Sequence, residues 1–185
     1  MADQHDGKGS RIHSREVLFR SSRFYVERRV QQLPSGELHQ RDVIQHPGAV
    51  VILPIFDDGR ICFIQNYRIA IDQVLLELPA GTRETDEPAI ETARRELVEE
   101  TGYECDSIQP LAEFNMSPGI LNERMYAFVA KGLRAGQQQL EVGEQIETVL
   151  MKPAEVDVLL ARNGIQDSKT LTTLLLYRHQ AREIA

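Results

Sequence analysis

Gly81-Thr-Arg-Glu-Thr-Asp-Glu87-Pro-Ala-Ile-Glu-Thr-Ala-Arg-Arg95-Glu96-Leu-Val-Glu99-Glu100-Thr-Gly102-Tyr103 reads as a glycine turn followed by a helix. At 3.6 residues per turn, Glu96, Glu99 and Glu100 fall within an arc of roughly 100°. Like charges spaced i, i+4 cost about 0.2 to 0.5 kcal/mol per pair, so this face calls for a compensating cation. The apolar stripe Ile90, Ala93 and Leu97 runs beside that arc, which puts the carboxylates at the margin of the buried face. Oxygen ligands in this setting suit Mg²⁺ or Mn²⁺, and Mg²⁺ is commonly shared between carboxylates, waters and substrate phosphates. A phosphorylated substrate follows as the expectation. The competing reading is a solvated helix laced by Glu91–Arg95 and Arg95–Glu99 pairs.

Outward from this helix, predicted over 88–101 with Pro88 in its first turn and Gly102 ending it, the chain alternates strand signals with turns. Residues 49–56 and 60–66 are strand-like runs joined by Asp-Asp-Gly, and 74–78 forms a further short strand. After the helix, 107–115, 124–130 and 147–151 read as strands, and 153–162 and 168–182 as closing helices. Upstream, 24–32 and 37–45 flank Leu-Pro-Ser-Gly as a hairpin. Residues 1–12 are polar and glycine-containing and are assigned to a disordered tail, 13–46 to a small antiparallel β subdomain, and 47–185 to the main domain. A mixed sheet with helices makes an α/β or α+β sandwich.

The 185 residues are 42% hydrophobic and 26% charged, enough for one globular domain with a sizeable core. A formal charge of −7 argues against a nucleic-acid backbone as partner. The two cysteines, Cys62 and Cys105, lack metal-ligand spacing and argue against a disulfide framework. No apolar run approaches the length of a membrane span and the first residues carry no apolar signal core, so a cytoplasmic protein without a membrane partner is expected. His46 and His179 have no metal-binding spacing and are read as structural.

Gly81, Glu87, Arg95, Glu96, Glu99, Glu100 and Gly102 fit G-x5-E-x7-R-E-U-x-E-E-x-G-U at every charged and glycine position, with Tyr103 departing from the usual aliphatic residue in the last slot. This segment is identified as a Nudix box. The resemblance implies the α/β/α Nudix sandwich and hydrolysis of a nucleoside diphosphate linked to another moiety. It implies Glu96 and Glu100 as metal ligands, Glu99 as a further ligand or base, the Ala80 carbonyl as an additional ligand, and a structural Glu87–Arg95 pair. The ions would neutralise and orient the pyrophosphate and acidify an attacking water.

Three segments outside the box extend the resemblance to ADP-ribose and nucleotide-sugar pyrophosphatases: Arg41 to Val50, Gln65 to Ala70, and Ser117 to Arg124, with Pro118 lying 15 residues past Tyr103. By that resemblance Arg41 and Arg68 would hold the diphosphate, where guanidinium forks suit phosphate oxygens. Glu123 would bond the terminal ribose. Glu144, in the acidic loop 141–147, matches the expected catalytic base, with Glu147 and Glu99 as alternatives. Adenine calls for an aromatic platform, and the chain has no tryptophan, so Phe24 or Tyr25 on the N-terminal hairpin are the candidates. In the resembling enzymes the N-terminal strands complete a second subunit's site, so a homodimer is expected. The implied reaction is Mg²⁺-dependent conversion of ADP-ribose to AMP and ribose 5-phosphate. GDP-mannose or UDP-glucose as substrate is the alternative, and a non-catalytic nucleotide sensor is the alternative of another class.

Overall fold

A computed structural model of the chain describes residues 11–140, 143 and 145–184, which fall into two compact units. The tail predicted over 1–12 lies outside the described residues up to residue 10, while residues 11 and 12 already belong to a strand.

The first unit runs to Pro47 and takes in Ser117–Glu123. Its strands β1 (Arg11–Arg20), β2 (Tyr25–Gln32) and β3 (Leu38–Gln45) form an antiparallel sheet in that order. The predicted Leu-Pro-Ser-Gly turn closes the second hairpin, where the Gly36 N–H donates to the Leu33 carbonyl at 2.8 Å. Gln32 faces Leu38 and Tyr25 faces Gln45 across it. Ser117–Glu123 docks on the end of β3 through Ile44, whose N–H donates to Ile120 and whose carbonyl accepts from Asn122.

The second unit is a three-layer sandwich. Its strands are β4 (Ala49–Ile55), β5 (Ile61–Arg68), β6 (Gln73–Glu77), β7 (Ala80–Thr82), β8 (Tyr103–Asn115), β9 (Arg124–Ala135) and β10 (Ile146–Met151). They make one mixed sheet of order β10-β5-β4-β9-β8, with β6 on β5 and β7 on β4. The β4–β9 pair is parallel and the other pairs are antiparallel. The period-2 alternation of β4 divides the core. Val50 and Ile52 pack with Ala93 and Leu97 of α1 (Ala89–Thr101). Val51 and Leu53 face the opposite side, where Val156 of α2 (Pro153–Ala161) and Leu174 of α3 (Ser168–Ile184) cover them. This is the predicted α/β sandwich, and every strand and helix predicted after residue 48 is present, with ends shifted by a few residues.

Helix α1 stops at Gly102, which sits at φ 72° and returns its N–H to the Val98 carbonyl at 2.8 Å. A Cβ there would lie 2.8 Å from the Gln138 backbone nitrogen, so both conformation and space require glycine.

Candidate active site

The C-terminal half of α1 carries the three predicted carboxylates at the margin of the core. Glu100 is 4% exposed and accepts the Ala80 N–H at 2.8 Å, tying the helix to the first residue of β7. The Glu96 carboxylate lies over Gly81, where a Cβ would come within 1.9 Å of its Cδ. Arg95 Nη1 donates to both Glu96 Oε1 at 2.9 Å and Glu99 Oε2 at 2.8 Å. The repulsion read from the sequence is therefore partly offset by a guanidinium of the helix itself. The all-oxygen donor set fits a hard divalent cation, and Gly81 leaves the space in which the Glu96 carboxylate lies. Among the described residues no three His, Cys, Asp or Glu converge as a ready-made cage.

Glu87 and Arg95 pair as expected, Nε to Oε1 at 3.2 Å and Nη2 to Oε2 at 3.1 Å, with Thr92 Oγ1 donating to Oε2 at 2.8 Å. The Arg95 guanidinium holds the Glu87 carboxyl down at about 2, and Glu87 in turn pushes the Arg95 guanidinium further up. Arg83 braces the same loop through Nη2 on the Glu87 carbonyl at 2.7 Å and lies over the Tyr126 ring.

Arg68 occupies the end of β5, and its Nε and Nη2 fork onto Glu77 at 2.7 and 2.6 Å. Glu77 is fully buried and also accepts from Lys169 Nζ, which a second bond of 2.9 Å ties to Asp167. Sequence reading missed this cluster. Its signal is an acidic residue ending the apolar run Val-Leu-Leu, because a buried carboxylate demands cationic partners.

The remaining predicted residues lie in the first unit, apart from the acidic loop. Arg41 is exposed on β3 opposite Arg29. Phe24 makes a tilted contact with Phe19, ring centroids 6.2 Å apart, and Arg20 lies over the Tyr25 ring. Pro118 is exposed in the turn closed by Ile120 and Leu121 N–H groups on the Ser117 carbonyl. Glu123 Oε1 is 3.6 Å from His46 Nδ1, and Asn122 links the His46 backbone to the Gln45 side chain. Glu144 lies outside the described residues; Glu147 is exposed on β10 opposite Gln65.

Residues 45–174 match the NUDIX domain. The chain belongs to the Nudix family. It is a Nudix hydrolase, with curated relatives spanning most of its length. It is 35% identical to a methanol dehydrogenase activator of Bacillus methanolicus, over 76% of this chain and 77% of the relative. It is 33% identical to an ADP-ribose pyrophosphatase of Bacillus subtilis (strain 168), over 75% and 76%. It is 35% identical to a GDP-mannose pyrophosphatase of Yersinia enterocolitica, over 69% and 71%. Among solved structures, the crystal structure of an ADP compounds hydrolase superposes with a TM-score of 0.83 over 96% of each chain, at 24% identity, which shows the shared fold. No described helix is long and apolar enough to cross a membrane.

Proposed function

We propose that this Nudix hydrolase cleaves the pyrophosphate of ADP-ribose or a related ADP-sugar in a reaction dependent on Mg²⁺ or Mn²⁺, releasing AMP and ribose 5-phosphate. The observation that carries the reading is the set of three carboxylates along one margin of α1, with Gly81 leaving room for the Glu96 side chain. The name of the Bacillus subtilis relative supports the substrate class.

Glu96, Glu99, Glu100 and the Ala80 carbonyl would hold the cation. When bound, it supplies charge neutralisation at the diphosphate and a more acidic water. Arg41 and Arg68 bind diphosphate oxygens, Glu123 accepts from a ribose hydroxyl, Pro118 shapes the loop beside it, and Phe24 or Tyr25 stacks on the base. Glu144 takes the proton from the attacking water, with Glu147 and Glu99 as alternatives. Water adds one oxygen to a phosphorus, the bridging P–O bond breaks, and each product leaves as a monophosphate.

A second reading, the same chemistry on another nucleotide sugar, is favoured by the GDP-mannose pyrophosphatase relatives. The test is separate turnover of ADP-ribose, GDP-mannose and UDP-glucose, with product identification. AMP with ribose 5-phosphate as the dominant pair is expected, at a rate that Glu144→Gln lowers far more than it raises KM. A dominant GMP or UMP product transfers the assignment to the second reading, and a Glu144→Gln rate equal to wild type removes Glu144 as the base. Nucleotide binding with no turnover would point to a sensor.

We also propose a cytoplasmic homodimer joined through the N-terminal strands. Supporting this, β1 and its neighbours expose Ile12, Val17, Leu18, Phe19 and Leu38. Light scattering should give twice the 21.0 kDa chain mass; an active monomer contradicts it.

A further inference from the structure

Glu77 and Lys169 take no part in the chemistry above, yet they hold one of its residues, Arg68. The carboxylate is wholly buried, and among the described residues it is gripped by two cations, Arg68 from β5 and Lys169 from the first turn of α3. Lys169, itself 8% exposed, is held by Asp167, whose other oxygen accepts the Thr170 N–H at 2.9 Å and so caps α3. Thr170 Oγ1 accepts the Leu78 N–H at 2.8 Å, so one helical turn fixes two consecutive residues just ahead of Ala80.

One cation would suffice to neutralise Glu77. The second changes what Arg68 can offer. Lys169 holds the Glu77 carboxylate from the α3 side and Asp167 holds Lys169, so the oxygens that Arg68 grips are fixed in place and the fork keeps one geometry. Arg68 keeps a side chain more than a third exposed. A guanidinium has five N–H donors, and the fork on Glu77 uses two of them, leaving three in a plane that the fork holds fixed. Donors fixed before substrate arrives lose less entropy on binding.

We infer that Glu77 and Lys169 are positioning residues, which lock the Arg68 guanidinium so that its remaining N–H groups meet the substrate diphosphate. This rests on the proposed role of Arg68.

The test uses the full-length enzyme with ADP-ribose and Mg²⁺, and with any other nucleotide sugar it turns over. Lys169→Met should raise KM on the order of tenfold while kcat changes much less, and Lys169→Arg should recover part of the loss. In the double variant Arg68→Ala/Lys169→Met, KM should be no higher than in Arg68→Ala alone, since both remove one device. Independently of turnover, the Arg68 Nε–H resonance, assigned by its loss in Arg68→Lys, should be ordered in wild type. Its order parameter should fall below about 0.6 in Lys169→Met. If Lys169→Met does not fold, Asp167→Asn loosens Lys169 while keeping a capping side chain and should show the same signature. An Arg68 resonance that stays ordered, or KM effects that multiply in the double variant, overturns the inference. Wild-type enzyme without nucleotide-sugar turnover counts against the proposed function instead, and the resonance still decides the positioning.

Discussion

Arg95 is the side chain on which the loop before α1 and the carboxylate face both depend: its guanidinium reaches Glu87, Glu96 and Glu99 at once. The pair with Glu87 is also a pH-dependent contribution to stability. The folded-state Glu87 carboxyl titrates at about 2, below the ordinary value of 4.5, so its ionised form favours the folded chain. That contribution is complete above about pH 4.5 and is lost as pH falls toward 2. Glu87→Gln should therefore cost about 1 to 2 kcal/mol in urea unfolding at pH 7, allowing for solvent screening. The gap to wild type should close as the titration is repeated at pH 4 and then 3; a gap that widens with acid would refute the assignment. Glu87 and Arg95 were legible in the sequence because their spacing belongs to one local motif. Glu77 and Lys169, 92 positions apart, were not, since only the fold brings them together.

The contact between β7 and α1 is a matter of one missing side chain. Alanine at Gly81 would place Cβ on the Glu96 carboxylate, the far end of a flexible side chain that can swing away. Gly81→Ala should leave Tm within about 2 to 4 °C of wild type, equivalent to 1 kcal/mol or less. Turnover should fall by more than about tenfold because a displaced Glu96 carboxylate would misposition the cation proposed for it. Loss of folding with normal specific activity in the surviving protein would contradict this. At this scale the sandwich strands were readable from apolar runs bounded by turn residues. Two strands were not. β7 is only Ala-Gly-Thr, and its strand character comes from pairing with Val50 and Val51. β1 is rich in charge and exposed on both faces, so no apolar alternation announces it.

Over the whole molecule, each of the two units carries residues proposed for catalysis or binding. Ala80, Arg68 and the α1 carboxylates belong to the sandwich, whereas Arg41, Glu123, Pro118, Phe24 and Tyr25 belong to the N-terminal unit. Joining Ser117–Glu123 to that unit was not legible, because the segment begins 72 positions past Gln45, the end of its last strand, and docks by backbone bonds to Ile44. The proposed diphosphate hydrolysis depends on the α1 carboxylates holding a divalent cation. Protein stripped with EDTA should be assayed for AMP release from ADP-ribose, with Mg²⁺ then restored, in wild type and Glu100→Gln side by side. Release should be absent after stripping, return fully in wild type, and stay roughly 100-fold slower in Glu100→Gln. Release that ignores the chelator, or a Glu100→Gln enzyme as fast as wild type, would contradict it.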